Sequence, residues 1–211
     1  MDKSVSAETI TRIFEKTVPP GVEHPRLQAE CQALFSRLAN EARAVEQIKG
    51  REPWLSILIG SRSKESLIRA VLGRGHQISR KSLGYIRGAS FAVETQPRRI
   101  ELVNATMTEL RIPGVARSGY APNQDVYSWL DDFGFEPCPV ETALQLCLNA
   151  GNVLTDEQLT IVTRPLPDHI DGSVPCLTRL SGKYLIEERY AYLDYLWRSS
   201  DRLVFCRKTT T

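Results

Sequence analysis

The sequence predicts an α+β protein: a helical N-terminal arm, a small β-α-α-β-β unit, then two helices and a C-terminal antiparallel β-meander. Three observations predict it. Apolar residues recur at steps of three and four through the arm, the period of a helix with one buried stripe. After Pro53 they gather instead into short runs broken by Gly and Pro. From Gln158 onward, runs rich in β-branched and aromatic residues are separated by the turn dipeptides Asp171-Gly172 and Ser181-Gly182. The chain has 211 residues, 42% hydrophobic and 25% charged, which is globular composition and long enough to bury a core without disulfides or metals.

The arm covers residues 1–52. Ser6 is placed to cap a helix from Ala7 to Thr17 with Ile10, Ile13 and Phe14 on one face, ended by Val18-Pro19-Pro20-Gly21. A second helix runs from Pro25, suited to a first turn, to Lys49, with Gly50 as its stop. Its stripe is Leu27, Cys31, Leu34, Phe35, Leu38, Ala42, Val45 and Ile48, which something must cover: the first helix, the main body or a second copy.

The body spans 53–211, and Pro113-Gly114 can divide it into two parts near 113–118. Trp54–Gly60 reads as a buried strand, and the segment from Ser61 to Leu72 as a helix with Leu67, Ile68, Val71 and Leu72 on one face. Gly73-Arg74-Gly75 breaks it, and Arg80–Ile86 forms a short second helix. Strands are expected at Ser90–Glu94 and at Arg99–Ala105, with a turn at Gln96-Pro97 between them. Asn123 then caps a helix carrying Val126, Trp129, Leu130 and Phe133 and closed by Gly134, and Cys138-Pro139 opens another through Leu148. Four strands follow, around Gln158–Arg164, Val174–Leu180, Lys183–Glu188 and Arg202–Lys208.

Charge is unevenly laid out. From Arg62 to Gly88 the bases Arg62, Lys64, Arg69, Arg74, Arg80, Lys81 and Arg87 face Glu65 alone, whereas Ser118–Thr163 holds seven acids and no Lys or Arg. These blocks either balance each other within the chain or offer two faces to two partners. No apolar run approaches the roughly 18 residues that span a bilayer. The N-terminus has no signal-peptide core, and the five cysteines are odd in number with no Cys-x-x-Cys pair. The expectation is a cytoplasmic protein with reduced thiols, no membrane contact, no metal and no cofactor.

Four features bear on function. Two short helices joined by Gly73-Arg74-Gly75 loosely suggest a helix-turn-helix whose cations, Arg62 through Arg87, would contact phosphates. Cys138 at a helix start is the candidate nucleophile of a cysteine-dependent enzyme, but Glu136 and Glu141 disfavour a thiolate there, so a structural role is expected. Asp168, His169 and Asp171 read as a turn. Tyr190, Tyr192 and Trp197, with Tyr184, Tyr195 and interleaved arginines, are candidates for a partner contact, as are Leu34 and Leu38 of the arm.

The segment Asp125–Lys208, through DVYSWLDDFGFEPCPVETALQLCL, LTIVTRPLPD and DRLVFCRK, resembles a group of uncharacterised bacterial proteins. They combine a Cys-Pro helix start after a glycine turn, a β-meander and a terminal aromatic strand, and a looser likeness extends back through Ile57–Phe91. The resemblance implies a shared fold and no chemistry. The chain departs from the group at Cys147, where an arginine is expected, and in its arm. The functional expectation is therefore a non-enzymatic interaction protein with a protein partner or self-association through the N-terminal helices. The alternatives are a nucleic-acid-binding regulator using residues 62–87 and a cysteine-dependent enzyme with no catalytic set assigned.

Overall fold

The structure is a computed structural model that describes residue 12 and residues 25–112, 115, 118–151, 158–168, 172–192 and 194–208. The expected helix at Ala7–Thr17 lies outside the described residues. So do His24, His169, Asp171 and the side chain of Leu27.

The architecture is mixed α+β: a curled, eight-stranded mixed sheet, a half-barrel, with helices on both faces and a small second sheet. The elements in order are α1 (Pro25–Lys49), β1 (Leu55–Ile59), α2 (Lys64–Gly73), β2 (Gln77–Ile78), α3 (Arg80–Arg87), β3 (Arg98–Thr106), α4 (Met107–Leu110), β4 (Tyr120–Pro122) and α5 (Asn123–Asp132). Then come β5 (Phe135–Glu136), α6 (Thr142–Asn149), β6 (Leu159–Ile161), β7 (Val174–Leu180), β8 (Lys183–Arg189), β9 (Leu196–Arg198) and β10 (Arg202–Arg207). The large sheet runs β1-β3-β10-β6-β7-β8-β2, with β5 pairing β10 alongside. Its strands come from both sides of residues 113–118.

Local signals act where expected at several points. Pro25 opens α1, and the N–H of Gly50 donates to Glu46 at 2.9 Å as the helix stops. Ser63 and Ser79 cap α2 and α3, their hydroxyls accepting from the N–H groups of Ser66 and Ser82. Ser181 and Gly182 both have positive φ, 49° and 77°, and form the two-residue turn of the β7–β8 hairpin.

The sheet has a core on each face because residues of β3 and β10 alternate. Ile100, Leu102, Val204 and Cys206 enter the first core with Leu67, Ile68 and Val71 of α2 and Tyr85 and Ile86 of α3. Val103, Ala105, Leu203 and Phe205 enter the second with Val45 and Ile48 of α1, Met107 and Leu110 of α4 and Val126 and Trp129 of α5. Helix α6 is buried on every side from Thr142 to Leu148. Glu141 anchors it: the buried carboxylate accepts from the N–H groups of Gly60 and Glu94, at 3.1 and 2.9 Å, and from the Gln145 amide at 3.1 Å. Gly60 must be glycine here, since its φ is +70° and a Cβ would lie 2.3 Å from the Gln96 carbonyl oxygen.

Four expectations are corrected. Ser90–Glu94 makes no strand, because the Glu94 N–H goes to Glu141 rather than to a neighbouring strand, while Phe91 drops into the core. Asn123 does not cap α5. Pro122 stands at the cap, and the Asn123 side chain is consumed by tertiary bonds described below. Cys138-Pro139 precedes rather than opens α6, whose cap is Glu141. Only β6, β7 and β8 form a meander. β9 leaves for the small sheet, and β10 crosses to the middle of the large one, parallel to β6 and antiparallel to β3.

Candidate functional site

Two surfaces hold most of the residues singled out for contact with a partner. The first is an aromatic corner around the β4–β9 sheet, where Tyr120 pairs Arg198, Ala121 pairs Trp197 and Pro122 pairs Leu196. Alternation buries Ala121 and Trp197 and leaves Tyr120 and Leu196 exposed. Beside them stand Tyr190, 48% exposed, and Tyr192, 46% exposed. These two rings lie 6.4 Å apart and nearly parallel, Tyr190 meets Tyr195 edge-on at 6.1 Å, and Tyr195 meets Trp197 at 4.8 Å. The rings thus form a continuous ladder from the interior to solvent.

The backing of that ladder is held by hydrogen bonds. Trp197 Nε1 donates to Asn123 Oδ1 at 3.0 Å, and the Asn123 amide donates to the Ala191 carbonyl. The Asn123 N–H donates to the Tyr195 carbonyl at 2.9 Å, and the Tyr195 N–H to that of Tyr192 at 2.9 Å. The Arg189 guanidinium lies over both Tyr195 and Trp197, at 5.7 and 5.4 Å from the ring centres, and bonds Asp201 at 3.1 Å. Burial opposes its charge, but Asp201 prevails and raises its pKa. Trp197 is 1% exposed, which corrects the expectation that it meets a partner: it is the floor on which Tyr190 and Tyr192 are held out.

The second surface is the basic face of α2 and α3. The turn between them is occupied by β2, which pairs parallel with β8, so the two helices are not a helix-turn-helix. Lys64 Nζ donates to the Gly88 carbonyl at 2.9 Å, tying the start of α2 to the end of α3. Arg74 turns inward to the Leu148 carbonyl, and Lys81 pairs the buried Glu188 at 3.1 Å. Arg62, Arg69, Arg80 and Arg87 are exposed and meet no acid among the described residues. Lys81 thus pairs with β8, and Asp131 of the acidic stretch pairs Lys208.

The arm shows a division within one helix. The second half of α1 buries Ala39, Ala44, Val45 and Ile48, whereas Leu34 is 44% exposed and Leu38 half-buried. The stripe read as continuous is therefore covered by the body only over its second half.

Cys138 is buried, with Sγ 3.6 Å from the Val204 carbonyl oxygen and 3.5 Å from Cys206 Sγ. Burial, then the Cys206 contact, pushes its thiol well above the ordinary range, so it cannot supply a thiolate near neutral pH. Asp168 accepts from the Ser90 N–H at 3.2 Å, and no cluster of three or more metal-ligating side chains occurs among the described residues. His76 is held neutral: its Nδ1 accepts from the Tyr184 N–H at 3.3 Å, and burial followed by Lys183 and Arg74 lowers its pKa, a backbone bond at Cys147 opposing.

Sequence reasoning missed Asn123, Arg189 and Glu141 as organising residues. Asn123 and Glu141 act on partners far along the chain, Arg189 on rings and an acid 6 to 12 residues on, and only the isolated acid beside an apolar helix hinted at Glu141. Compared with family models, curated proteins and solved structures, the chain matches none.

Proposed function

We propose that the chain is a non-enzymatic interaction protein of the cytoplasm that grips a protein partner through the aromatic corner, with the exposed Leu34 of α1 as a second contact or a site of self-association. The observation that carries this reading is the pair Tyr190 and Tyr192, held out to solvent on a backing in which Asn123, Trp197 and Arg189 are bonded. Tyrosines on a rigid floor present large contact area at little cost in conformational entropy, the usual make-up of an interface hot spot. Free thiols buried at Cys138, Cys147, Cys176 and Cys206 accord with a reducing compartment.

A photo-crosslinking residue placed at Tyr192, and another at Leu34, tests the reading in cells and with the purified chain. A discrete adduct at Tyr192 that disappears with Tyr190→Ala supports it, and an adduct of twice the chain mass at Leu34 assigns self-association to α1. If both positions yield only the uncrosslinked chain, and the protein remains monomeric on concentration, the proposal fails.

A further inference from the structure

We infer that the α2–α3 face binds the phosphate backbone of nucleic acid without reading its sequence. The inference concerns a different surface from the aromatic corner, so either can fail alone. It starts from how the face is built. The helices bury Leu67, Ile68 and Val71 on one side and Tyr85 and Ile86 on the other against the same core, so their free sides look away from it together. The Lys64 bond to Gly88 ties the start of α2, two residues after Arg62, to the end of α3, one residue after Arg87, while the short link through β2 returns the chain to Arg80. Arg80, Gly84 and Arg87 follow each other at helical spacing on the exposed side of α3.

Three observations single out a polyanion. First, Arg62, Arg69, Arg80 and Arg87 meet no acid among the described residues, although the chain carries nearly as many acids as bases overall, 25 against 27. The arginines are therefore left unpaired by placement rather than by a shortage of carboxylates. Second, α3 begins with Arg80 and Lys81 and has no acid in its first turn; Glu188 answers Lys81, which leaves Arg80 as the exposed cation at the positive end of the helix dipole. A local arrangement that electrostatics disfavours persists most readily where an incoming anion relieves it. Third, a Cβ built on Gly84 meets nothing within 4 Å, so the ridge between Arg80 and Arg87 is low and a phosphate chain can lie along it.

The geometry argues against base recognition. With β2 tied to β8, neither helix projects alone, and grooves can be entered only by the arginine tips. The contact is thus one of phosphates, which position but do not specify. Glu65 stands one turn from Arg69, so the weakest of the four contacts belongs to Arg69.

The test uses fluorescence anisotropy of the full chain with two labelled duplexes of unrelated sequence, titrated over a range of salt. Four phosphate contacts predict a log–log salt slope of about 3 to 4, and a loss on the order of 100-fold for a fourfold rise in salt. Both duplexes bind alike, and the triple variant Arg62→Ala, Arg80→Ala, Arg87→Ala loses nearly all binding while its circular dichroism and melting curve match the wild type. Should the triple variant misfold, the single changes Arg62→Gln, Arg80→Gln and Arg87→Gln each lower the slope by about one contact's worth. The inference is overturned if the wild type does not bind at low salt, or if the variants bind as it does. It is equally overturned if polyglutamate displaces the duplex as well as unlabelled duplex does, which would assign the face to an acidic protein.

Discussion

At the aromatic corner, the groups behind the exposed rings are bonded to one another. Asn123 serves Trp197 and Ala191, Arg189 serves Asp201 and two rings, and the Tyr195 N–H donates to the Tyr192 carbonyl. On the α2–α3 face the backbone is equally well capped, by Ser63 and Ser79, yet four guanidiniums end in solvent. The difference separates two ways of building a surface. The corner fixes its side chains in advance, so a partner docking there would lose little entropy and the contact would tolerate salt. The basic face fixes the scaffold and leaves the charges in solvent, so a polyanion would be attracted at a distance and released as salt rises.

The largest expected effect breaks the corner from below. Trp197→Ala removes a fully buried indole and should cost about 3 to 5 kcal/mol of stability by urea denaturation, and a cost under about 1 kcal/mol would show that the floor can collapse without harm. Asn123→Ala comes next. It strands the Trp197 N–H and the Ala191 carbonyl, and about 1 to 3 kcal/mol should be lost, with Asn123→Asp recovering the Trp197 bond but not that to Ala191.

The third prediction lies beside the basic face. His76 has a folded pKa below its ordinary 6.5. The unfolded chain then binds the extra proton first, so the stability from neutral His76 is complete above pH 6.5 and fades as pH falls through the lower folded value. His76→Gln should flatten the stability-versus-pH curve in that window, and an unchanged curve would remove His76 as its cause. The smallest effect has the opposite sign. Arg80→Glu places an acid at the α3 N-terminus and should raise stability by about 0.3 to 1 kcal/mol. A gain there beside losses at Trp197 and Asn123 is the sharpest statement of the contrast.

Much of the fold was legible where the determining contacts are local. Pro25 and Gly50 bound α1, Ser79 begins α3, and Ser181-Gly182 turns the hairpin, each through its own backbone. What escaped depends on distant partners. Ser90–Glu94 has the residue types of a strand, but a carboxylate 47 positions away takes its N–H. Asn123 obeys the rule for a cap until Trp197, 74 positions on, claims its side chain. At the surfaces, Tyr190 and Tyr192 were legible as a dense run, whereas the burial of Trp197 was not, because tryptophan suits either role. The charges of the basic block were plain in the sequence. Which of them remain unpaired required knowing that Arg74 turns inward and Lys81 meets Glu188.

The position of β10 bears on how the chain is made in the cell. Residues 202–207 supply Leu203 and Phe205 to one core and Val204 and Cys206 to the other, and they alone join β3 to β6. A nascent chain still lacking them on the ribosome therefore holds two strand edges with no neighbour and two half-built apolar faces. At roughly 5 to 20 residues per second of translation, that exposed interval is set by the pace of elongation rather than by the folding reaction. Slowed translation just before residue 202 would lengthen the time in which the chain is open to aggregation.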